Sequence, residues 1–147
     1  MKILCMEDQE YKYQHINSVL KQNDTIQVVW EKNCQNGLMQ LLNNDFDFLL
    51  LDMSMPLSGT DYKKESFDSF AGLSVLREIK RKRYKIKVIV ITGFNDFEKG
   101  EKIITLKELE KDIVQKYSDY YIGYIQYDST SVEWQRNLMQ LLLLGGN

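Results

Sequence analysis

The sequence predicts a doubly wound α/β domain, with five parallel strands in the order 2-1-3-4-5 and helices on both faces. Three observations carry this expectation. Short apolar runs alternate with segments of helical periodicity five times along 147 residues. The runs at 48–51 and 88–91 are continuously apolar, as a parallel strand covered on both faces requires. Strand–helix alternation also favours parallel pairing through crossovers of one hand.

Each element has its own signature. Residues 2–6 form a short apolar run that ends in acids. Ile16, Val19 and Leu20 then recur at helical spacing. Residues 25–30 are rich in β-branched side chains and read as the second strand. Leu38, Leu41 and Leu42 mark the second helix, and residues 46–51 are the most apolar strand candidate. Leu73, Val75, Leu76 and Ile79 mark the third helix, and residues 87–92 the fourth strand. The charged stretch 97–117, with Ile103, Ile104, Leu106, Leu109 and Ile113, reads as the fourth helix. Residues 121–125 are the last strand and 132–144 the last helix. Strand order 2-1-3-4-5 is the flavodoxin-like arrangement, whose ligands bind beyond the carboxyl ends of the strands. The chain reads as a single domain over residues 1–147, with insertions near 57–71 and 95–119. Each insertion reads equally as a partner surface or as an ornament of the fold.

Composition narrows the function. Nineteen basic residues against 21 acidic ones give a net charge of −2, which disfavours direct nucleic-acid binding. No apolar run approaches the roughly 18 residues of a membrane span, and the amino terminus does not read as a signal peptide. A cytoplasmic location is expected. Cys5 and Cys34 form no metal-binding pattern with the single histidine, His15, and read as small core residues. The basic run 80–87 reads as a helix carboxyl end, where the dipole favours cations. The stretch 138–144 is more apolar than one helix face needs, which leaves a partner surface or a turn folded over the sheet edge.

The strand ends carry the chemistry. Glu7 and Asp8 follow the first strand, Asp52 follows the third and Thr92 closes the fourth. Adjacent first and third strands bring three carboxylates into one small volume, where they repel each other. A hard divalent cation relieves that repulsion through oxygen ligands. Asp52 then has an oxygen free to attack a phosphoryl group, and Thr92 offers a hydroxyl to a phosphoryl oxygen. Taken singly, these residues also read as a solvated turn, a helix cap and a β-former.

The sequence resembles a two-component response-regulator receiver domain, the receiver (CheY-like) fold. The resemblance rests on Ile3-Leu4-Cys5-Met6-Glu7-Asp8, on Leu49-Leu50-Leu51-Asp52-Met53-Ser54-Met55-Pro56, on Val88-Ile89-Val90-Ile91-Thr92-Gly93 and on the helix from Gly72. It implies that Asp52 accepts phosphate from a sensor histidine kinase or a phosphotransfer protein. It implies Mg2+ on Asp8 and Asp52, with Glu7 acting through water and the Ser54 backbone carbonyl as a further ligand. Thr92 would turn toward the phosphoryl group, with Tyr124 as the candidate switch aromatic. Tyr124 reads equally as a strand aromatic packed on the last helix. The signal would pass by protein contact to a target protein, with helix four, strand five and helix five as a candidate homodimer face. No output domain, no direct nucleic-acid contact and no turnover of a separate substrate are expected.

The sequence departs from the family at one point. A lysine is expected at the end of the fifth strand, yet no lysine follows Lys116. Either Gln126 or Tyr127 stands in its place, and Gln126 could donate only a neutral hydrogen bond. A pseudo-receiver that binds partners without phosphorylation is the nearest alternative. A phosphatase of the haloacid-dehalogenase type wants an acid where Ser54 stands. An FMN carrier wants a phosphate-cradling loop where Glu7-Asp8-Gln9-Glu10 would repel phosphate.

Overall fold

The computed structural model describes residues 1–58, 67, 68, 70–94, 96–99 and 102–146. In chain order the elements are β1 (Lys2–Met6), α1 (Glu10–Leu20), β2 (Gln27–Glu31), α2 (Cys34–Asn43), β3 (Phe48–Leu51), β4 (Met55–Pro56) and β5 (Phe67–Asp68). They continue as α3 (Ala71–Lys82), β6 (Lys87–Thr92), β7 (Asp96–Lys99), β8 (Lys102–Thr105), α4 (Leu106–Tyr117), β9 (Tyr121–Gln126) and α5 (Glu133–Gly145).

The main sheet runs β2-β1-β3-β6-β9, with every neighbouring pair parallel. Counting only its own strands, this is the expected order 2-1-3-4-5. Alternation along each strand divides the core in two. Leu4, Met6, Leu49, Leu51, Val88 and Val90 face the layer that holds α2, α3 and α4. Ile3, Cys5, Phe48, Leu50, Ile89 and Ile91 face α1 and α5. Cys5 and Cys34 are both buried and unbridged, as core residues should be. Burial pushes the Cys5 thiol well above its usual range, so it stays protonated.

The structure corrects one element. The stretch expected to enter the fourth helix at residue 97 instead forms an antiparallel hairpin, β7 with β8, before α4 begins at Leu106. Ile103, Ile104 and Thr105 are β-branched, and they sit in β8. Thr105 then stops the strand and starts the helix. Its hydroxyl accepts from the Glu108 N–H at 3.2 Å, while Glu108 Oε2 accepts from the Thr105 N–H at 3.4 Å. The other insertion contributes a two-residue ladder, β4 with β5; residues 59–66 and 69 lie outside the described residues.

Other local expectations hold. The basic run supplies Lys80, Arg81 and Lys82 to the last turn of α3, and Arg83 closes the helix in the left-handed conformation at φ 56°. Leu138 and Leu142 of α5 are buried, whereas Leu143 and Leu144 are exposed. Among the described residues, no helix is long and apolar enough to cross a membrane.

Candidate functional site

The site lies at the carboxyl edge of the sheet, where β1 and β3 end in register at Met6 and Leu51. Backbone pairing continues one residue further. The Asp52 N–H donates to the Met6 carbonyl at 3.2 Å, and the Glu7 N–H donates to the Glu31 carbonyl at 3.0 Å. These bonds place Glu7 and Asp52 side by side. Glu7 is fully buried, Asp52 is 3% exposed, and Asp8 is partly buried. One carboxylate oxygen from each of the three lies within 4.8 Å of the others.

Neighbours hold the first strand's end firmly. Trp30 donates its indole N–H to the Glu7 carbonyl at 2.8 Å. Tyr13 of α1 stacks on Trp30 with ring centres 4.0 Å apart. Glu7 Oε1 accepts from the Gln9 N–H at 3.1 Å. Burial is the main cause that raises Glu7 to about 8; the Lys12 ammonium opposes it and the Asp52 charge adds to it. Asp8 is raised for the same leading reason, with Asp52 adding again.

Sequence reasoning missed the group that balances these acids. Lys12 of α1 is 3% exposed, and its Nζ lies 2.7 Å from Glu7 Oε2 and 3.2 Å from Asp52 Oδ2. It also donates to the Ile91 carbonyl at 2.9 Å. Burial alone would lower its pKa; Asp52 and Glu7 outweigh burial and raise it, so the ammonium is charged. A signal was present in the sequence. Lys12, Ile16, Val19 and Leu20 fall on one helical stripe, and all four are buried. A lysine on the buried face of the helix that follows an acidic pair is a cation aimed at those acids.

The remaining expected site residues fall as follows. Thr92 is fully buried at the end of β6, and its Oγ1 accepts from the Phe94 N–H at 3.2 Å. Ser54 is buried two residues beyond Asp52. Gln126 pairs with Thr92 in the sheet register, and its side chain is exposed. Tyr127 follows it, with the Lys12 Nζ 5.8 Å from the centre of its ring. Tyr124 is partly buried and packs on the cluster that holds α4. With Gln126, Tyr127 and Gly93 it also lines a cavity of about 670 Å³ that reaches α5. A cavity of about 1170 Å³, lined by Phe46, Lys80, Arg83, Lys85 and Lys87 among others, lies at the opposite end of the sheet, away from the acids.

Gly72 ties α3 to the Asp52 loop. Its N–H donates to the Met53 carbonyl at 2.9 Å. A Cβ there would strike the Met53 Cε and lie 2.9 Å from the Asp52 carbonyl oxygen and 3.0 Å from Met53 Cα. Two of these obstacles are backbone. Gly72→Ala is therefore expected to destabilise the fold by about 1–3 kcal/mol through overpacking, despite the roughly 1 kcal/mol that alanine gains inside a helix. Urea denaturation checks this, and a stabilised variant would refute it.

The geometry agrees with the family comparison: the response regulator receiver domain family matches residues 3–119. The chain belongs to that family. The receiver domain is a module of two-component signalling, and solved structures repeat its fold. RcsB from Salmonella enterica serovar Typhimurium, solved bound to a promoter with the phosphomimetic BeF3−, aligns with a TM-score of 0.68 at 20% identity, covering 100% of this chain and 99% of that one. A CheY-like receiver domain protein from Methanospirillum hungatei aligns at 0.65 and 16% identity, covering 97% of this chain and 90% of that one. The uncharacterized protein y4jR of Sinorhizobium fredii is 26% identical over 103 residues, which is 68% of each chain. In this receiver the acidic cluster is present, and the fifth sheet strand, β9, ends in Gln126 rather than lysine.

Proposed function

We propose that this receiver accepts a phosphoryl group on Asp52 from a sensor histidine kinase or a phosphotransfer protein, with Mg2+ in the acidic pocket. The observation that carries this reading is the cluster of Glu7, Asp8 and Asp52 at the sheet edge, with Asp52 Oδ1 buried and without a hydrogen-bond partner among the described residues. An orphaned buried oxygen among acids fits a hard cation. Asp8 and Asp52 are the direct ligands in this reading, Glu7 acts through water, and the Ser54 backbone carbonyl is a further ligand. Bound Mg2+ supplies positive charge to the transferring phosphoryl group.

Charge supports the same conclusion. If all three carboxylates are ionised, Glu7, Asp8 and Asp52 against one Lys12 ammonium leave two negative charges in excess, which a divalent cation would cancel; without one, burial is the main cause that holds Glu7 and Asp8 raised. In the transfer, an Asp52 oxygen forms the new bond to phosphorus. With phosphohistidine the P–N bond breaks and the imidazole leaves; with acetyl phosphate the P–O bond breaks and acetate leaves. Thr92 moves its hydroxyl to a phosphoryl oxygen, and Tyr124 repacks beside it. The change is passed on by the α4–β9–α5 elements, whose exposed apolar side chains include Val114, Leu143 and Leu144. That face suits a target protein or a second copy of the chain.

Incubation with acetyl phosphate and Mg2+ tests the reading. Intact mass is expected to rise by one phosphoryl group in the native protein and not in Asp52→Ala. No adduct on the native protein with acetyl phosphate or with any candidate kinase, together with absent Mg2+ binding, would favour a pseudo-receiver. Asp8→Asn is expected to weaken Mg2+ by at least the roughly 10–100-fold that even outer-shell partners carry. Tryptophan fluorescence reads this, because Trp30 is bonded to the Glu7 carbonyl. Unchanged affinity would remove Asp8 from the ligand set.

A further inference from the structure

We propose that Lys12 is the cation that meets the phosphoryl group on Asp52, delivered from helix α1 instead of from the end of β9. This deepens the phosphoacceptor reading and rests on it. Phosphorylation turns a singly charged carboxylate into a dianion, in a pocket that already holds Glu7 and Asp8. A charged donor fixed there before the reaction stabilises that added charge without reorganisation.

Lys12 meets the requirements. Its Nζ lies 3.2 Å from Asp52 Oδ2, so it touches the reacting carboxylate. It is buried, so its charge is little screened by solvent. The Ile91 carbonyl holds it at 2.9 Å, beside the strand end that carries Thr92. The end of β9 offers no equivalent. Gln126 is neutral and exposed, and Tyr127 places an aromatic ring under the Lys12 ammonium. Lys12 pairs with Glu7 Oε2 and Asp52 Oδ2, which leaves Asp52 Oδ1 and the Asp8 carboxylate open to a divalent cation, so the cation and the ammonium can share the pocket. The ammonium therefore complements the metal site and does not replace it.

The test compares the native protein, Lys12→Met and Lys12→Met/Tyr127→Lys, with beryllofluoride plus Mg2+ as a non-reacting phosphoryl mimic and acetyl phosphate plus Mg2+ as donor. Circular dichroism and Mg2+ titration establish that each variant is folded and binds the metal. The proposal expects Lys12→Met to lose about 100-fold in beryllofluoride affinity and in rate of adduct formation. Tyr127→Lys is expected to restore at least part of both, because the Tyr127 ring centre lies 5.8 Å from the native Lys12 Nζ, so a lysine there can bring an ammonium to the same pocket. Lys12→Met that is folded, binds Mg2+ and takes beryllofluoride as the native protein does would overturn the proposal. If Lys12→Met does not fold, the native protein decides by NMR. A nuclear Overhauser contact between bound fluoride and the Lys12 ammonium protons supports the proposal, and its absence refutes it. Failure of the native protein to take either beryllofluoride or phosphate strikes the phosphoacceptor reading itself, and is distinguishable on that ground.

Discussion

Lys12→Met is expected to cost the fold about 3–5 kcal/mol in alkaline solution, where Glu7 is ionised, the usual consequence of removing one partner from a buried ion pair. The ammonium is paired with Glu7 at 2.7 Å and with Asp52 at 3.2 Å, and its loss leaves buried carboxylates without a countercharge. The methionine keeps most of the stem's packing, so the loss reports charge. The sign of the pH dependence follows from the acids. Glu7 is already raised to about 8, chiefly by burial, and loses the opposing Lys12 charge in the variant. Protonation removes the uncompensated charge. Glu7 in the variant therefore titrates above its native value of about 8, and the destabilisation is largest above the variant's value and shrinks as the pH falls through it toward 8. Added Mg2+ is expected to recover more stability in the variant than in the native protein. Urea denaturation across pH, with and without Mg2+, measures both effects. A loss below about 1 kcal/mol, or one that grows on acidification, would show that the pair carries little.

Trp134→Ala is the second large effect, at about 3–5 kcal/mol. Trp134 is 2% exposed in the first turn of α5 and belongs to the core cluster with Ile16, Ile125 and Leu138. Its ring meets His15 of α1 and Tyr127 beyond β9, each edge-on with centres 5.0 Å apart. His15 Nδ1 is in turn 3.0 Å from the Tyr127 hydroxyl. One side chain thus joins α1, the end of β9 and α5. Truncation opens a cavity that three separate elements would have to close. Trp134→Phe is expected to cost much less. It keeps most of the volume and removes a buried indole N–H that has no partner among the described residues. Melting temperatures of the two variants separate these outcomes, and equal losses would contradict the packing account.

Much of this was legible in the sequence, for identifiable reasons. Phe48 to Leu51 and Val88 to Ile91 suit central parallel strands covered on both faces, and their ends placed Asp52 and Thr92 at the sheet edge. Glu7 and Asp8 followed from the same rule applied to β1. The hairpin β7–β8 was not legible, because Ile103 and Ile104 fit helical spacing with Leu106, Leu109 and Ile113. Tertiary pairing and the Thr105 cap decided that segment. Lys12 was overlooked for a different reason. The family pattern puts a cation at the end of the last strand, whereas in this chain a buried lysine stands on α1. A helix that packs against the sheet edge can deliver a charge to the same point in space as a strand that ends there.

The central claim is that Asp52 forms an acyl phosphate, and chemical trapping tests it most directly. The protein is incubated with acetyl phosphate and Mg2+, reduced with borohydride, digested and mapped by mass. An acyl phosphate on Asp52 is reduced to homoserine, so the account predicts homoserine at position 52 and unaltered Glu7 and Asp8. Intact Asp52 in protein that has gained phosphate elsewhere would contradict it.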